Sequence, residues 1–291
     1  MENIGLIGAG VMGITVARRL LDAGYLLKAF DPAPAAVARI RALGAAIAES
    51  PASASADAEA VLMLLPGPTQ VEQCVAGSEG ILDGARPGTI VVDLSTVGPD
   101  TTRRMAQLAG EKGIGYLDAP VLGRPATVGQ WALPVGGPIE ELDRCRPLLE
   151  SFAKNIIHIG ESGSGHKVKL LNQLMFGAIN AMTAEMMAVA AKVGVAPSLL
   201  YETITASQAG TVSNLFKELG RRISQDDYNE PTFTVDLLVK DVKLGVQMAC
   251  DHGAPPVLGK TIDLIDEIAQ AQGQGACDTS IMWKTLLNIW K

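Results

Sequence analysis

The sequence predicts an α/β domain with a mostly parallel sheet, followed by an all-α domain. Three observations carry this. Short β-rich apolar runs alternate with helical segments as far as Gly160, strand signals then stop, and a glycine-rich turn links the first run to the first helix. Strand and helix in alternation imply parallel strands, whose crossovers place helices on both faces of the sheet.

Taken in order, the strands are "NIGLIG", "LLKAF", "AVLMLLP", "TIVVDLS" and "GYLDAPV", separated by helical patterns such as "VMGITVARRLLDAG" and "DTTRRMAQLAGEKG". "WALPVGG" and "IIHIG" extend the sheet, and "PASASADAEA" reads as a short helix start. Beyond Gly160 the pattern becomes helical over 166–193, 197–206, 234–252 and 256–271, with breaks at Gly194, Pro197, Pro231 and Pro255. The boundary gives residues 1–161 to the first domain and 162–291 to the second.

The 291 residues suffice for two cores, and 48% hydrophobic against 19% charged residues excludes the disordered classes. Aromatic residues are only 4%, so Ala, Leu, Val and Met must build those cores. A net charge of −7 has the wrong sign for nucleic acid or an anionic membrane, and neither partner is expected. Cys74, Cys145, Cys250 and Cys277 form no C-x-x-C pair, which points to reduced core thiols in a cytoplasmic protein rather than zinc or disulfides. The start shows no signal-peptide pattern, in keeping with that location. The apolar run 174–191 contains Asn180, Thr183 and Glu185, costly groups in hydrocarbon, so it reads as a buried helix. The long apolar helices exceed what one small domain can cover, implying a homodimer or homotetramer. His158, His166 and His252 lack metal-ligand spacing, and no metal is expected; His166 reads equally as a cofactor neighbour or as a capping or solvent-facing residue.

"GLIGAGVMG" sets Gly8, Gly10 and Gly13 in the G-x-G-x-x-G order, between strand and helix. There the glycines allow a tight turn and backbone approach to a pyrophosphate at the helix N-terminus, so residues 8–13 (Gly8, Ala9, Gly10, Val11, Met12, Gly13) form a dinucleotide-binding turn of Rossmann type. Asp31 ends the second strand, where a carboxylate accepts from the adenosine ribose hydroxyls and repels a 2′-phosphate. "FDPAP" holds no cation to receive that phosphate, so NAD is expected over NADP. A turn-forming Asp before Pro32 is the competing explanation.

In "ESGSGHKVKLLNQLM", Lys169, Asn172 and Gln173 form a polar stripe, continued by Asn180, on a helix otherwise apolar nearly all round. Burial lowers a lysine pKa toward the range useful for acid–base work.

"GLIGAGVMG", "DLSTVGPDTT", "YLDAPVLGRP", "GSGHKVKLLNQ" and "FTVDLLVKDVKLGV" together resemble, in order and spacing, the β-hydroxyacid dehydrogenases, the family of 3-hydroxyisobutyrate dehydrogenase and tartronate semialdehyde reductase. The resemblance covers essentially the whole chain. It implies hydride exchange between NAD and a short β-hydroxyacid or its semialdehyde, with the active site between the two domains. It assigns Lys169 as general acid and base, and Asn172 with Gln173 to substrate or to a buried amide network. Lys240 is assigned beside substrate and cofactor, Thr96 at the nicotinamide with Ser95 nearby, and Leu65 with Pro66 over the cofactor's ribose. Asp241 orients the lysines or makes a surface pair.

The chain departs from the family at "DAPVLGRP", where relatives resemble D-A-P-V-S-G-G: Leu122 replaces the serine, Gly123 is kept, and Arg124 replaces the second glycine. The loop is similar to that of sulfolactaldehyde reductases, in which an arginine binds the substrate anion. Arg124 is therefore either an anion anchor or an arginine at solvent or a subunit contact. Two other functions share the architecture, an imine reductase and a dinucleotide-binding sensor without turnover; Lys169 argues against both, while the altered loop keeps the second open.

Overall fold

The computed structural model describes residues 1–207, 213–228 and 230–290, and divides into two compact units, Met1–Lys169 and Leu170–Lys291. The first unit is built on one eight-stranded sheet. Its strands are β1 (Asn3–Ile7), β2 (Leu26–Phe30), β3 (Ala46–Ile47), β4 (Ala60–Met63), β5 (Ile90–Asp93), β6 (Gly115–Asp118), β7 (Trp131–Gly136) and β8 (Ala153–Gly160), in the spatial order β3-β2-β1-β4-β5-β6-β7-β8. Helices α1 (Val11–Asp22), α2 (Pro34–Ala42), α3 (Pro51–Ser55), α4 (Pro68–Ala76), α5 (Ile81–Gly84), α6 (Pro99–Glu111) and α7 (Ile139–Glu150) connect them.

Every residue of β4 and β5 is buried, as parallel strands covered on both faces must be. One face packs Leu6, Leu20, Leu62 and Val92 with Trp131 and Phe152, which meet edge to face at 6.2 Å. The other packs Ile7, Val61, Met63, Val91 and Met105. Each such side chain contributes about 1.5–3 kcal/mol by leaving water. Strand order reverses between β1 and β4, the point at which open α/β sheets leave a crevice at the carboxyl ends of their strands.

All neighbours in the sheet are parallel except β6 and β7, which run antiparallel. The expected extension of the sheet is present, but its direction changes. Residues 119–130 supply only a 3₁₀ turn at Pro125–Thr127 instead of a crossover helix, so the chain must fold straight back. The two-residue β3 was not anticipated either.

Helix α8 (Ser164–Lys192) leaves the first unit and continues into the second. That unit is helical, with α9 (Pro197–Ser207), α10 (Asn214–Gln225), α11 (Val235–Asp251), α12 (Val257–Ala271) and α13 (Met282–Ile289). Helix α8 is long and apolar enough to cross a membrane by length and composition. It instead buries Ala181, Ala184 and Ala188 against Leu238, Val242 and Ile262, and seats the amide of Asn180 on the Thr279 carbonyl at 3.4 Å.

Candidate active site

The turn after β1 has the shape its glycines require. Gly8 lies at φ +94°, and a Cβ there would overlap the Leu64 carbonyl, while one at Gly13 would overlap the carbonyl of Gly8. At Gly10 a Cβ would meet nothing within 4 Å. Helix α1 begins without a side-chain cap, and its first internal bond is Ile14 N–H to Gly10 O at 2.9 Å, so the preceding amides face the open side of the turn. This is a cradle for a pyrophosphate, held tight at Gly8 and Gly13 and open at Gly10, and it fits the expected dinucleotide.

Asp31 makes the turn bond expected of it and a second bond to the glycine-rich turn. Its Oδ1 accepts the Ala33 N–H at 2.8 Å, the turn reading, and its Oδ2 accepts the Ala9 N–H at 2.7 Å, tying β2 to the glycine-rich turn. Cys74 on α4 stands close enough to feel the charge: burial first, and Asp31 second, push its thiol up to about 11. Cys74 packs on the same apolar cluster as Phe30 and Leu65, and a thiol raised in this way is a poor nucleophile.

Ser95 holds the loop at the end of β5. Its N–H donates to Asp93 Oδ1 at 2.9 Å, its hydroxyl accepts the Leu65 N–H at 3.0 Å, and its carbonyl lies 3.0 Å from His166 Nε2. Ser95 is buried, with 4% exposure, and precedes Thr96 in the chain. The bond from Leu65 to Ser95 thereby ties the loop after β4 to the loop after β5.

The start of α8 is bound to β6. Asp118 accepts the Gly163 N–H at 2.8 Å and the His166 N–H at 2.9 Å, taking up amides the helix cannot satisfy within itself. Burial raises the Asp118 pKa, while His166 and those two amides act in the opposite direction. A Cβ on Gly165 would strike the Asp118 carbonyl at 2.6 Å, which explains the glycine before His166. His166 is fully buried, neither a cap at the surface nor a solvated side chain.

One turn further along, Lys169 Nζ donates to the carbonyl of Val121 at 2.9 Å. The loop after Val121 is pinned in turn. Leu122 pairs with Ala132, Trp131 Nε1 donates to the Arg124 carbonyl at 2.7 Å, and the Arg124 N–H donates to Thr127 Oγ1 at 3.3 Å. The Trp131 ring occupies the space a side chain at 123 would need, so Gly123 is fixed by packing.

In the helical unit, Asn172 Nδ2 donates to Gln173 Oε1 at 3.3 Å, Gln173 Nε2 donates to Asp241 Oδ2 at 2.6 Å, and Lys240 pairs with Asp241 Oδ1 at 2.6 Å. Gln173 and Asp241 are buried, whereas Asn172 is exposed. Asp241 is therefore no surface pair but the buried centre of this chain of contacts. Among the described residues no group of three or more His, Cys, Asp or Glu is placed to hold a metal.

Sequence reasoning missed Asp118 and His166 as a buried group. Only Asp118 had a visible signal, as the acidic residue at the end of a strand.

Residues 3–160 match the family model for the NAD binding domain of 6-phosphogluconate dehydrogenase, and 163–286 match that for the NAD-binding domain of NADP-dependent 3-hydroxyisobutyrate dehydrogenase. The chain is 32% identical over 291 residues to 2-(hydroxymethyl)glutarate dehydrogenase of Eubacterium barkeri, covering 99% of this chain and 95% of that one. It is 32% identical over 290 residues to the NAD-dependent L-serine dehydrogenase of Pseudomonas aeruginosa, covering 98% and 97%. Among solved structures, 3-hydroxyisobutyrate dehydrogenase from Salmonella typhimurium superposes with a TM-score of 0.90 at 29% identity, over 98% and 99% of the two chains.

Proposed function

The chain belongs to the β-hydroxyacid dehydrogenase family, and from that premise we propose that it interconverts a short β-hydroxyacid, or its sulfonate analogue, and the corresponding semialdehyde, with Lys169 as the acid–base group. When bound, the nicotinamide supplies or accepts the hydride. The turn Gly8–Gly13, Asp31, Leu65, Pro66 and Thr96 are the residues that would hold the dinucleotide.

The observation that carries the reading is the bond from Lys169 to Val121. One of the three ammonium donors is spent on that carbonyl, which fixes the nitrogen at the root of the loop where this chain leaves the family pattern. In the reducing direction Lys169 delivers a proton to the carbonyl oxygen as it gains negative charge; in oxidation it takes the hydroxyl proton. Pinning by Val121 removes rotamer freedom that a solvated lysine would keep, so less ordering remains for the transition state.

Arg124 is the proposed anchor for the substrate's carboxylate or sulfonate. The Trp131 bond to its carbonyl fixes the backbone from which the side chain extends, and a guanidinium can grip such a group with two parallel N–H donors. Asn172, Gln173 and Lys240 are assigned to the substrate by the family likeness; the buried amide of Gln173 supports Asp241, leaving Asn172 as the exposed member of the pair. A second copy of the chain is the proposed cover for the apolar row Leu171, Met175, Met182, Met186 and Val193 on α8. Short aldehyde acids, carboxylates and sulfonates alike, screened with NADH and NADPH by the absorbance of the reduced cofactor, test the reading.

A further inference from the structure

His166 binds through both ring nitrogens and through its backbone, and each bond reaches a different element. Nε2 lies 3.0 Å from the Ser95 carbonyl, Nδ1 lies 2.7 Å from Thr102 Oγ1 on α6, and the backbone N–H is on Asp118. A carbonyl can only accept, so Nε2 carries the hydrogen; Nδ1 shares a hydrogen with the Thr102 hydroxyl, which also reaches the Gly98 carbonyl at 3.3 Å. Thr102 and Asp118 are as fully buried as the ring itself, so no water can replace a lost partner cheaply.

We propose that His166 is a positioning residue for hydride transfer: in its Nε2–H form it sets the Ser95 carbonyl, and through it Thr96, at a fixed offset from the helix that carries Lys169. The proposal rests on the functional reading above, which places Thr96 at the nicotinamide and Lys169 at the reacting oxygen. The geometry supplies the link between them. Ser95 is held at its N–H and hydroxyl from the sheet side, but its carbonyl, part of the peptide that leads into Thr96, is held by His166. Three residues beyond His166 on the same helix stands Lys169, itself seated on Val121. Cutting the ring from Ser95 frees one end of this frame while the adenosine and pyrophosphate contacts at Asp31 and the glycine turn stay intact.

The two amide replacements separate the two nitrogens. An asparagine at 166 places its amide near the Nδ1 position and falls short of Ser95; a glutamine reaches further and restores the donor to that carbonyl. His166→Asn is expected to lower kcat at least about tenfold, with the KM for NADH changed less than about threefold and a larger isotope effect from NADH deuterated at the transferred position. His166→Gln is expected to recover a third or more of wild-type kcat. A kcat for the Asn variant within twofold of wild type, or a Gln variant no better than the Asn variant, overturns the proposal. Ring ¹⁵N NMR of the wild-type protein is a check that needs no variant to fold: a hydrogen on Nε2 of the buried histidine supports the tie to Ser95, and a ring without one overturns it. The two failures are separable. No turnover by wild type with any acid of the panel overturns the functional reading and this proposal with it, whereas wild-type turnover that is lost in Lys169→Ala but survives in His166→Asn overturns the proposal alone.

Discussion

The carboxylate of Asp31 is bonded to the backbone N–H of Ala9 at 2.7 Å, so the residue that follows β2 also shapes the phosphate-binding turn after β1. We expect this tie to disfavour NADP: a 2′-phosphate would bring two negative charges beside a carboxylate that cannot move without releasing Ala9. The kcat/KM with NADH is expected to exceed that with NADPH by at least about tenfold, or ~1.4 kcal/mol. Steady-state kinetics with both cofactors checks this, and equal use would show that another group compensates the phosphate.

Arg124 follows a glycine on which Trp131 is packed, and its carbonyl is held by the same indole. Arg124→Ala is expected to raise the substrate KM by about 1.5–3 kcal/mol, the worth of a charge-assisted hydrogen bond, with little change in NADH affinity. Arg124→Lys should rescue only in part, because an ammonium lacks the planar fork. An unchanged KM, measured together with oligomer mass, would move Arg124 from substrate to a subunit contact.

Asp266 on α12 is completely buried and neither carboxylate oxygen has a hydrogen-bond partner among the described residues. Burial first, and Asp263 second, push its pKa up to about 7. The folded state thus keeps a proton that the unfolded chain gives up near pH 4, so this group's contribution makes stability fall as pH rises from about 4 to about 7 and then level off. Asp266→Leu should remove that dependence and stabilise the fold by at least about 1 kcal/mol at pH 8, where an unpaired charge is otherwise buried. Denaturant melts of both proteins at pH 5 and pH 8 check it; a gain no larger at pH 8 than at pH 5 would show that Asp266 does not titrate in this range.

The first domain was legible because its signals are local. Glycines crowd one turn, apolar runs of four to six residues mark strands, and an acidic residue stands at the end of the second. Helix α10 was not foreseen, since Phe216, Leu219 and Ile223 are spaced among charged residues in a segment without a strong apolar run. The reversal of β7 depends on what the 119–130 connection lacks, which no periodicity reveals. Within the site, motif register pointed to Lys169 and Thr96, but the buried bonds that hold them, Asp118 to α8 and His166 to Ser95, join residues 48 and 71 positions apart. Long-range pairings of that kind leave no pattern in a single sequence.

The role proposed for Lys169, seated on Val121, is to move the proton in hydride exchange with a short hydroxyacid. Its most direct test is single-turnover reduction of the best aldehyde acid by wild type and by Lys169→Ala, with NADH binding measured in parallel. Hydride transfer is expected to slow by roughly 10²-fold or more while NADH affinity stays within about threefold, as for loss of a positioned proton donor. A folded Lys169→Ala protein that binds NADH and transfers hydride at near wild-type rate would contradict it.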